Sequence, residues 1–174
     1  MRVRRIRVRR IQKAYLPKLS DLPKKKRTKR MEIGDCGELY CVKNLYCLTC
    51  KNYGFVNLNT KKTNMPGVDI QCTHCGEYGQ VKTFEKKKGK YPIQKTNPRC
   101  PHWDDTKITS CANTLRNTLI KYSNNIRYYC IIYENTLYGR KIEAIAITER
   151  LTVDNICDGE KAIRAKHTLW MCYE

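Results

Sequence analysis

Two short cysteine pairs constrain this chain more than any other feature of its sequence. Two residues separate Cys47 from Cys50, and Cys72 and Cys75 repeat that spacing. A Cys-x-x-Cys pair curls its backbone around one metal ion, and two such pairs complete a tetrahedral site. Four thiolates close the coordination sphere and leave no position for water or substrate. The sequence therefore predicts a structural Zn²⁺ ribbon embedded within the domain.

The other cysteines indicate a reducing environment. The chain has eleven cysteines in 174 residues, an odd number, and no apolar leader precedes them. We therefore expect an intracellular protein with zinc-bound and free thiols, nuclear or DNA-associated in a eukaryotic or viral source. His74 and His102 are alternative zinc ligands, and Cys100, His102 and Cys111 are an alternative second site. No run of about 18 apolar residues is present, so no membrane partner is expected.

Residues 1–30 form a basic arm that we expect to be distinct from a domain of residues 31–174. The chain carries a net charge of +19, and about two thirds of it lies in this arm, whose one acid is Asp21. Such dense like charge buries little, so the arm is expected to lack fixed structure without a partner. Phosphate neutralisation on nucleic acid is the favoured role, with a nuclear-import signal or a solubilising tail as alternatives. The predicted contacts, which include a second basic loop, are Arg4, Arg5, Arg9, Arg10, Lys24, Lys25, Lys26, Arg27, Lys86, Lys87 and Lys88.

Hydrophobic periodicity predicts an alternation of helices and strands. Apolar residues at three- and four-residue steps indicate helices, whereas short alternating or buried runs indicate strands. The predicted helices span residues 32–46 and about 108–122, the second with Thr106 or Thr109 as its N-cap. The predicted strands span residues 53–56, 68–71, 80–84, 126–133 and 141–147.

Oxygen ligands for a second kind of metal ion surround the second cysteine pair. Asp69 offers a carboxylate on one predicted strand, and Gln80 offers an amide oxygen on the next. Lys82 follows Gln80 by one alternation and therefore points to the same face of its strand. Hard cations such as Mg²⁺ or Mn²⁺ prefer oxygen ligands, and phosphodiester cleavage uses such an ion to activate water. A lysine beside the ion can orient that water or stabilise the transition-state charge.

These residues carry a resemblance to a known family. Residues 66–69, Pro-Gly-Val-Asp, followed by Gln80-Val81-Lys82, resemble the motif of the PD-(D/E)xK nuclease superfamily, in the Mrr-type form with Gln in place of Glu. The order of acid, Cys-x-x-Cys and lysine is similar to the Dam-replacing family of methyl-adenine-dependent restriction endonucleases of the Dpn type. In those enzymes a zinc ribbon lies beside the catalytic hairpin. The resemblance covers residues 34–147.

The resemblance implies an α/β (α+β) fold, a restriction-endonuclease-like mixed sheet flanked by helices with an embedded four-cysteine ribbon. It also implies that Glu38 is a helix-borne acid near the catalytic metal. The expected function is metal-dependent hydrolysis of DNA, with RNA as the alternative target and a homodimer as one oligomeric form. Gln80 removes a charge from the centre, so the alternative is a non-catalytic zinc-containing DNA-binding protein. The chain has no segment for the winged-helix domain that reads methylated adenine, so methyl specificity does not carry over.

Overall fold

The computed structural model describes residues 5–7, 14–22, 28–60, 66–86, 112–122, 125–155 and 168–172. These residues contain two α-helices and seven β-strands. The helices are α1 (Lys29–Asn44) and α2 (Ala112–Tyr122). The strands are β1 (Arg5–Arg7), β2 (Phe55–Asn57), β3 (Ile70–Cys72), β4 (Tyr78–Glu85), β5 (Ile126–Thr136), β6 (Gly139–Thr148) and β7 (Thr168–Cys172).

All seven strands belong to one mixed sheet in the order β1-β7-β6-β5-β4-β3-β2. Strands β2, β3 and β4 form an antiparallel meander, and β4 then pairs in parallel with β5. A parallel pair needs a long crossover connection, and α2 lies between β4 and β5 in the chain. Strands β5, β6 and β7 are again antiparallel. The mixed α+β class and the order of α1, β2 to β4, α2, β5 and β6 match the sequence prediction, which did not include β1 or β7.

Strand β5 shows why both faces of the sheet are covered. Its residues Tyr129 and Ile131 are fully buried among side chains of α1, whereas Tyr128 and Cys130 are buried in a second cluster that contains Leu119 of α2. Alternate residues of a strand point to opposite faces, so a strand covered on both sides must be apolar along its length. The domain therefore has a helix, sheet and helix layering with two cores.

Helix α1 packs closely against strand β4. The Thr28 hydroxyl caps the helix by accepting from the Met31 N–H at 3.4 Å. A Cβ added at Gly37 would lie 2.0 Å from Thr83 Oγ1 and 3.6 Å from Ile131 Cδ1. Glycine therefore brings the helix backbone against the sheet at this point, directly before Glu38.

Part of the N-terminal arm belongs to the fold, which differs from the expectation of an arm without fixed structure. Strand β1 pairs in parallel with β7, and Leu16 is buried in the core on the α1 side. The Leu16 N–H donates to the Arg140 carbonyl at 2.9 Å, and the Ile142 N–H donates to the Ala14 carbonyl at 2.7 Å. The apolar residues between the arginines suit a strand, and the arm supplies backbone partners to strands β6 and β7. Arg4, Arg9, Arg10 and residues 24–27 lie outside the described part of the chain.

Other predicted features lie only partly within the described residues. The second helix begins at Ala112, and the candidate caps Thr106 and Thr109 fall outside them, as do Cys100, His102 and Cys111. Among the described helices, none combines the length and the hydrophobicity needed to cross a membrane.

Candidate functional site

The four cysteines of the two pairs converge where strand β3 ends. Cys47 Sγ lies 3.6 Å from Cys75 Sγ, and Cys50 Sγ lies 3.6 Å from Cys72 Sγ. All four sulfur atoms lie within 4.8 Å of one another. Zinc bound tetrahedrally at about 2.3 Å holds its sulfur ligands about 3.8 Å apart, so the cluster has the dimensions of a zinc site. These residues can hold a metal ion such as zinc.

Each cysteine pair sits on a tight, hydrogen-bonded turn. The Lys51 N–H donates to the Cys47 carbonyl at 2.7 Å, and the Gly76 N–H donates to the Cys72 carbonyl at 2.9 Å. Both turns end in a left-handed backbone, with φ of 58° at Lys51 and 75° at Gly76. Glycine adopts this conformation freely, whereas lysine is uncommon there. The strain at Lys51 indicates that the first turn is held by its surroundings.

Glu77 was not predicted from the sequence, yet it contacts the first cysteine turn. Its buried carboxylate accepts from Arg127 Nε at 2.9 Å and from the Thr49 hydroxyl at 2.5 Å, and Arg150 Nε lies 3.5 Å away. It also lies 3.9 Å from Cys47 Sγ. Glu77 therefore ties the first cysteine turn to the start of strand β5. Its position two residues after Cys75 is the only sequence signal for this role.

The thiols of the cluster have different proton affinities without a metal ion. Burial raises the pKa of Cys47 to about 12. The pKa of Cys50 is lowered, chiefly by the backbone N–H of Asn52. Zinc binds thiolates, so its binding must release the remaining protons and becomes stronger as the pH rises.

A second cluster is centred on Asp69, which directly precedes strand β3. The Asp69 N–H donates to the Gly79 carbonyl at 2.9 Å, a pairing that places Asp69 beside Gln80 on strand β4. Asp69 Oδ2 accepts from the Val81 N–H at 2.8 Å and from the Gln80 side-chain amide. The hairpin register thus brings together two of the residues that the motif predicts.

Glu38 reaches the same cluster from helix α1. Its Oε2 accepts from Asn57 Nδ2 at 2.8 Å and from Asn59 Nδ2 at 3.2 Å. Asn59 Nδ2 also lies 3.4 Å from Asp69 Oδ1, so this amide bridges the two carboxylates. The sequence analysis missed both asparagines, because asparagine in a short polar segment is usual in a turn.

Burial dominates the electrostatics of the two acids. It raises the pKa of Glu38 from 4.5 to about 7, and the nearby Asp69 charge adds to that rise. Burial also raises the pKa of Asp69, against the lowering effects of the Val81 N–H and the Lys82 charge. Two carboxylates held together in a largely water-free position favour a cation between them. Their oxygen atoms suit Mg²⁺ or Mn²⁺, whereas the sulfur cluster suits zinc.

Lys82 lies on the same face of strand β4 as Gln80, as the alternation predicts, and is half-buried. Its charge acts on Asp69, so it belongs to the same electrostatic neighbourhood. The structure therefore brings Glu38, Asp69 and Gln80 together through direct contacts and the Asn59 bridge, and Lys82 acts on Asp69 through its charge.

The predicted basic contacts are described only in part. Lys86 Nζ lies 3.3 Å from Glu143 Oε2, a contact that neutralises part of its charge. Arg5 lies on strand β1, and Lys87 and Lys88 are outside the described residues.

Comparisons with known proteins add no assignment. No family model matches this chain, and no curated protein matches it significantly. Function is therefore inferred from the geometry of the two clusters and from the motif.

Proposed function

We propose that this chain is a metal-dependent endodeoxyribonuclease with a structural zinc site. The observation that carries the proposal is the convergence of Glu38 and Asp69 in one buried cluster, with Oδ1 of Asp69 and Oε2 of Glu38 both in contact with Asn59. Gln80 on strand β4 contacts Asp69, and Lys82 lies two residues further along that strand with its charge acting on Asp69. These are the residues that the PD-(D/E)xK resemblance implies. That resemblance was drawn from the sequence motif alone, without the three-dimensional structure.

The fold is compatible with that superfamily. It has a mixed sheet with a helix on each face, and the acid directly precedes the strand that pairs antiparallel with the strand of the Gln-x-Lys. The four-cysteine cluster lies beside this hairpin, as it does in the Dam-replacing enzymes of the Dpn type. A net charge of +19 favours a polyanionic substrate and increases the rate of its encounter.

Each residue has a role that follows from its position. Glu38 and Asp69 would hold a Mg²⁺ or Mn²⁺ ion, with the Gln80 side-chain oxygen as a further ligand once its amide turns. Such an ion supplies a Lewis acid that lowers the pKa of bound water. Lys82 would orient the attacking water and stabilise negative charge on the phosphate. The Val81 N–H holds the Asp69 carboxylate in place at 2.8 Å.

A plasmid-nicking assay tests the proposal. Supercoiled DNA is incubated with Mg²⁺ or Mn²⁺ and with wild type, Asp69→Asn or Lys82→Met. Both variants should be at least about 100-fold slower, since each removes a group that acts on the transition state. Asp154→Asn, which changes an exposed acid in the 3-10 turn Val153–Asn155, is the matched control and should cut like wild type. Equal rates for wild type and the two site variants would refute nuclease activity at this centre.

One observation favours a second candidate, a DNA-binding protein without catalysis. The Gln80 side-chain amide donates a hydrogen bond to Asp69 Oδ2. The usual glutamate of the motif would instead place a second negative charge at this position and repel Asp69. A donor there stabilises the site without a cation. In this case wild type would bind DNA and leave it uncut, and Gln80→Glu would strengthen Mn²⁺ binding by adding a charge.

A further inference from the structure

Two tyrosine rings are exposed together at the zinc end of the domain. Tyr46 follows helix α1, and Tyr53 precedes strand β2. Their ring centroids are 5.9 Å apart with an interplanar angle of 66°, an edge-to-face pair. Tyr53 is 65% exposed and Tyr46 is 40% exposed. Aromatic rings are usually buried because they carry much apolar area, so an exposed pair needs an explanation.

The chain holds this pair in a fixed position. Tyr46 and Tyr53 form an isolated β-bridge, and the Cys47 N–H donates to the Asn52 carbonyl at 2.9 Å. The second cysteine turn secures the same segment, since His74 Nε2 lies 3.0 Å from the Tyr53 carbonyl oxygen. The Thr73 hydroxyl donates to the Gly54 carbonyl at 2.8 Å. A metal ion in the cysteine cluster would stiffen both turns further, so the rings are preorganised for a partner.

Exposed lysines flank the pair along the chain. Lys43 and Lys51 are exposed, and residues 43–54 and 73–76 contain no acid. Glu77, two residues after Cys75, is buried and contacts both Arg127 and Arg150. A rigid aromatic surface flanked by cations is complementary to bases and phosphates together, whereas an acidic protein surface would pair with the cations and offer no flat ring for the tyrosines to stack on.

Two elements connect the pair to the acid cluster. Helix α1 carries Glu38 and ends just before Tyr46, and strand β2 begins just after Tyr53 and carries Asn57, which contacts Glu38. Four residues of extended chain from Tyr53 to Asn57 span about 13 Å, at about 3.3 Å per residue. That length corresponds to about four nucleotide steps of B-form DNA, at about 3.4 Å per step. One DNA strand could therefore contact both positions.

We propose that Tyr46 and Tyr53 form a stacking platform for an unpaired nucleotide of the bound DNA strand. The inference depends on the DNA binding in the proposed function and does not depend on cleavage. The partner is single-stranded DNA, or a frayed or overhanging end, because a base must leave its own stack to lie against a tyrosine ring. Lys43 and Lys51 would contact the flanking phosphates without sequence preference.

Fluorescence anisotropy on the full chain tests the platform. The probe is a labelled oligothymidylate of about twelve nucleotides, within the range of about 4–16 that such surfaces cover. Tyr53→Ala should weaken binding by about 5-fold to 100-fold, the equivalent of one stacked base. Tyr53→Phe keeps the ring and should bind like wild type. Tyr138→Ala is the matched control, because Tyr138 is 85% exposed at the β5–β6 turn, away from the cysteine cluster, and should have no effect.

The outcomes separate the platform from the proposed function. If wild type binds the probe and Tyr53→Ala and Tyr46→Ala bind equally well, the platform is wrong while DNA binding stands. Equal losses of affinity for Tyr53→Ala and Tyr138→Ala would also overturn the platform, since any exposed tyrosine would then contribute to binding regardless of its position. If wild type binds neither the probe nor duplex DNA, the proposed function fails and the platform fails with it. Zinc content and circular dichroism of each variant show that it is folded.

Discussion

Replacing Glu38 by glutamine measures how much the buried Glu38 carboxylate, held beside Asp69, lowers the stability of the folded protein. Glu38 has its pKa raised from 4.5 to about 7, first by burial and then by Asp69. A carboxyl whose pKa is higher in the folded state disfavours folding once it ionises. The effect is absent below pH 4.5, grows between pH 4.5 and about 7, and is complete above that range. The Glu38→Gln variant lacks this ionisation and should therefore be the more stable protein at alkaline pH.

The magnitude follows from the pKa. A rise from 4.5 to about 7 corresponds to about 3 kcal/mol in the free energy of unfolding, at about 1.4 kcal/mol per pH unit. In the variant, the hydrogen bonds from Asn57 and Asn59 no longer go to a charged carboxylate and are therefore weaker. This loss reduces the gain in stability. We expect Glu38→Gln to be about 2 kcal/mol more stable than wild type at pH 8, and to differ by less than about 1 kcal/mol at pH 5.

Urea unfolding followed by circular dichroism, with zinc in every buffer, measures both free energies. Glu134→Gln, at an exposed glutamate of strand β5, is the control and should show no such pH-dependent gain. Millimolar Mg²⁺ should stabilise wild type at pH 8 by binding between Glu38 and Asp69, and should stabilise Glu38→Gln less. A variant no more stable than wild type at pH 8, or equally stabilised at both pH values, would refute the argument from burial.

Three further predictions test other parts of the molecule. By metal analysis, Cys72→Ser should reduce bound zinc from about one ion per chain to near zero, whereas Cys130→Ser, at a buried cysteine outside the cluster, should retain the zinc. Equal zinc content in the two variants would exclude the four-cysteine site. Asn59→Ala should lower the free energy of unfolding by about 1 kcal/mol at pH 8, and by less at pH 5, because it removes the hydrogen-bond donor that Glu38 and Asp69 share. A loss of stability that does not depend on pH would contradict that role. Gly37→Ala should lower the melting temperature and reduce the free energy of unfolding by about 1–3 kcal/mol, because its Cβ would meet Thr83 Oγ1 at 2.0 Å. The double variant Gly37→Ala/Thr83→Ala should recover most of that stability, and additive losses in the double variant would disprove the clash.

The regular elements could be predicted because their signals are local. The periodicity that predicts a helix over residues 32–46 corresponds to α1 at Lys29–Asn44, and the apolar run at 126–133 corresponds to the buried part of strand β5. The cysteine spacing predicted a four-sulfur cluster, and the structure confirms that the four sulfur atoms meet. Each of these patterns lies within a short stretch of chain, where hydrophobic period and ligand spacing suffice.

Contacts between distant segments could not be predicted in the same way. The pairing of β1 with β7 joins the two ends of the chain, and its partner has no signal in the local sequence of the arm. Glu77 contacts Arg127 across 50 positions, and Asn59 meets Glu38 across 21. Single polar residues of this kind are common on surfaces, so only their neighbours in space distinguish them.

The sequence alone determined the chemistry available to this protein: four thiolates at zinc spacing, an acid followed by Gln-x-Lys, and a net charge of +19. Residue type and short-range spacing are sufficient for such statements. Tertiary structure decided which of these groups share an environment. It placed Glu38 beside Asp69 and withdrew both from water, and this raised the pKa of each. Proton affinity depends on burial and on nearby charges, which exist only once the helix and the hairpin have packed together.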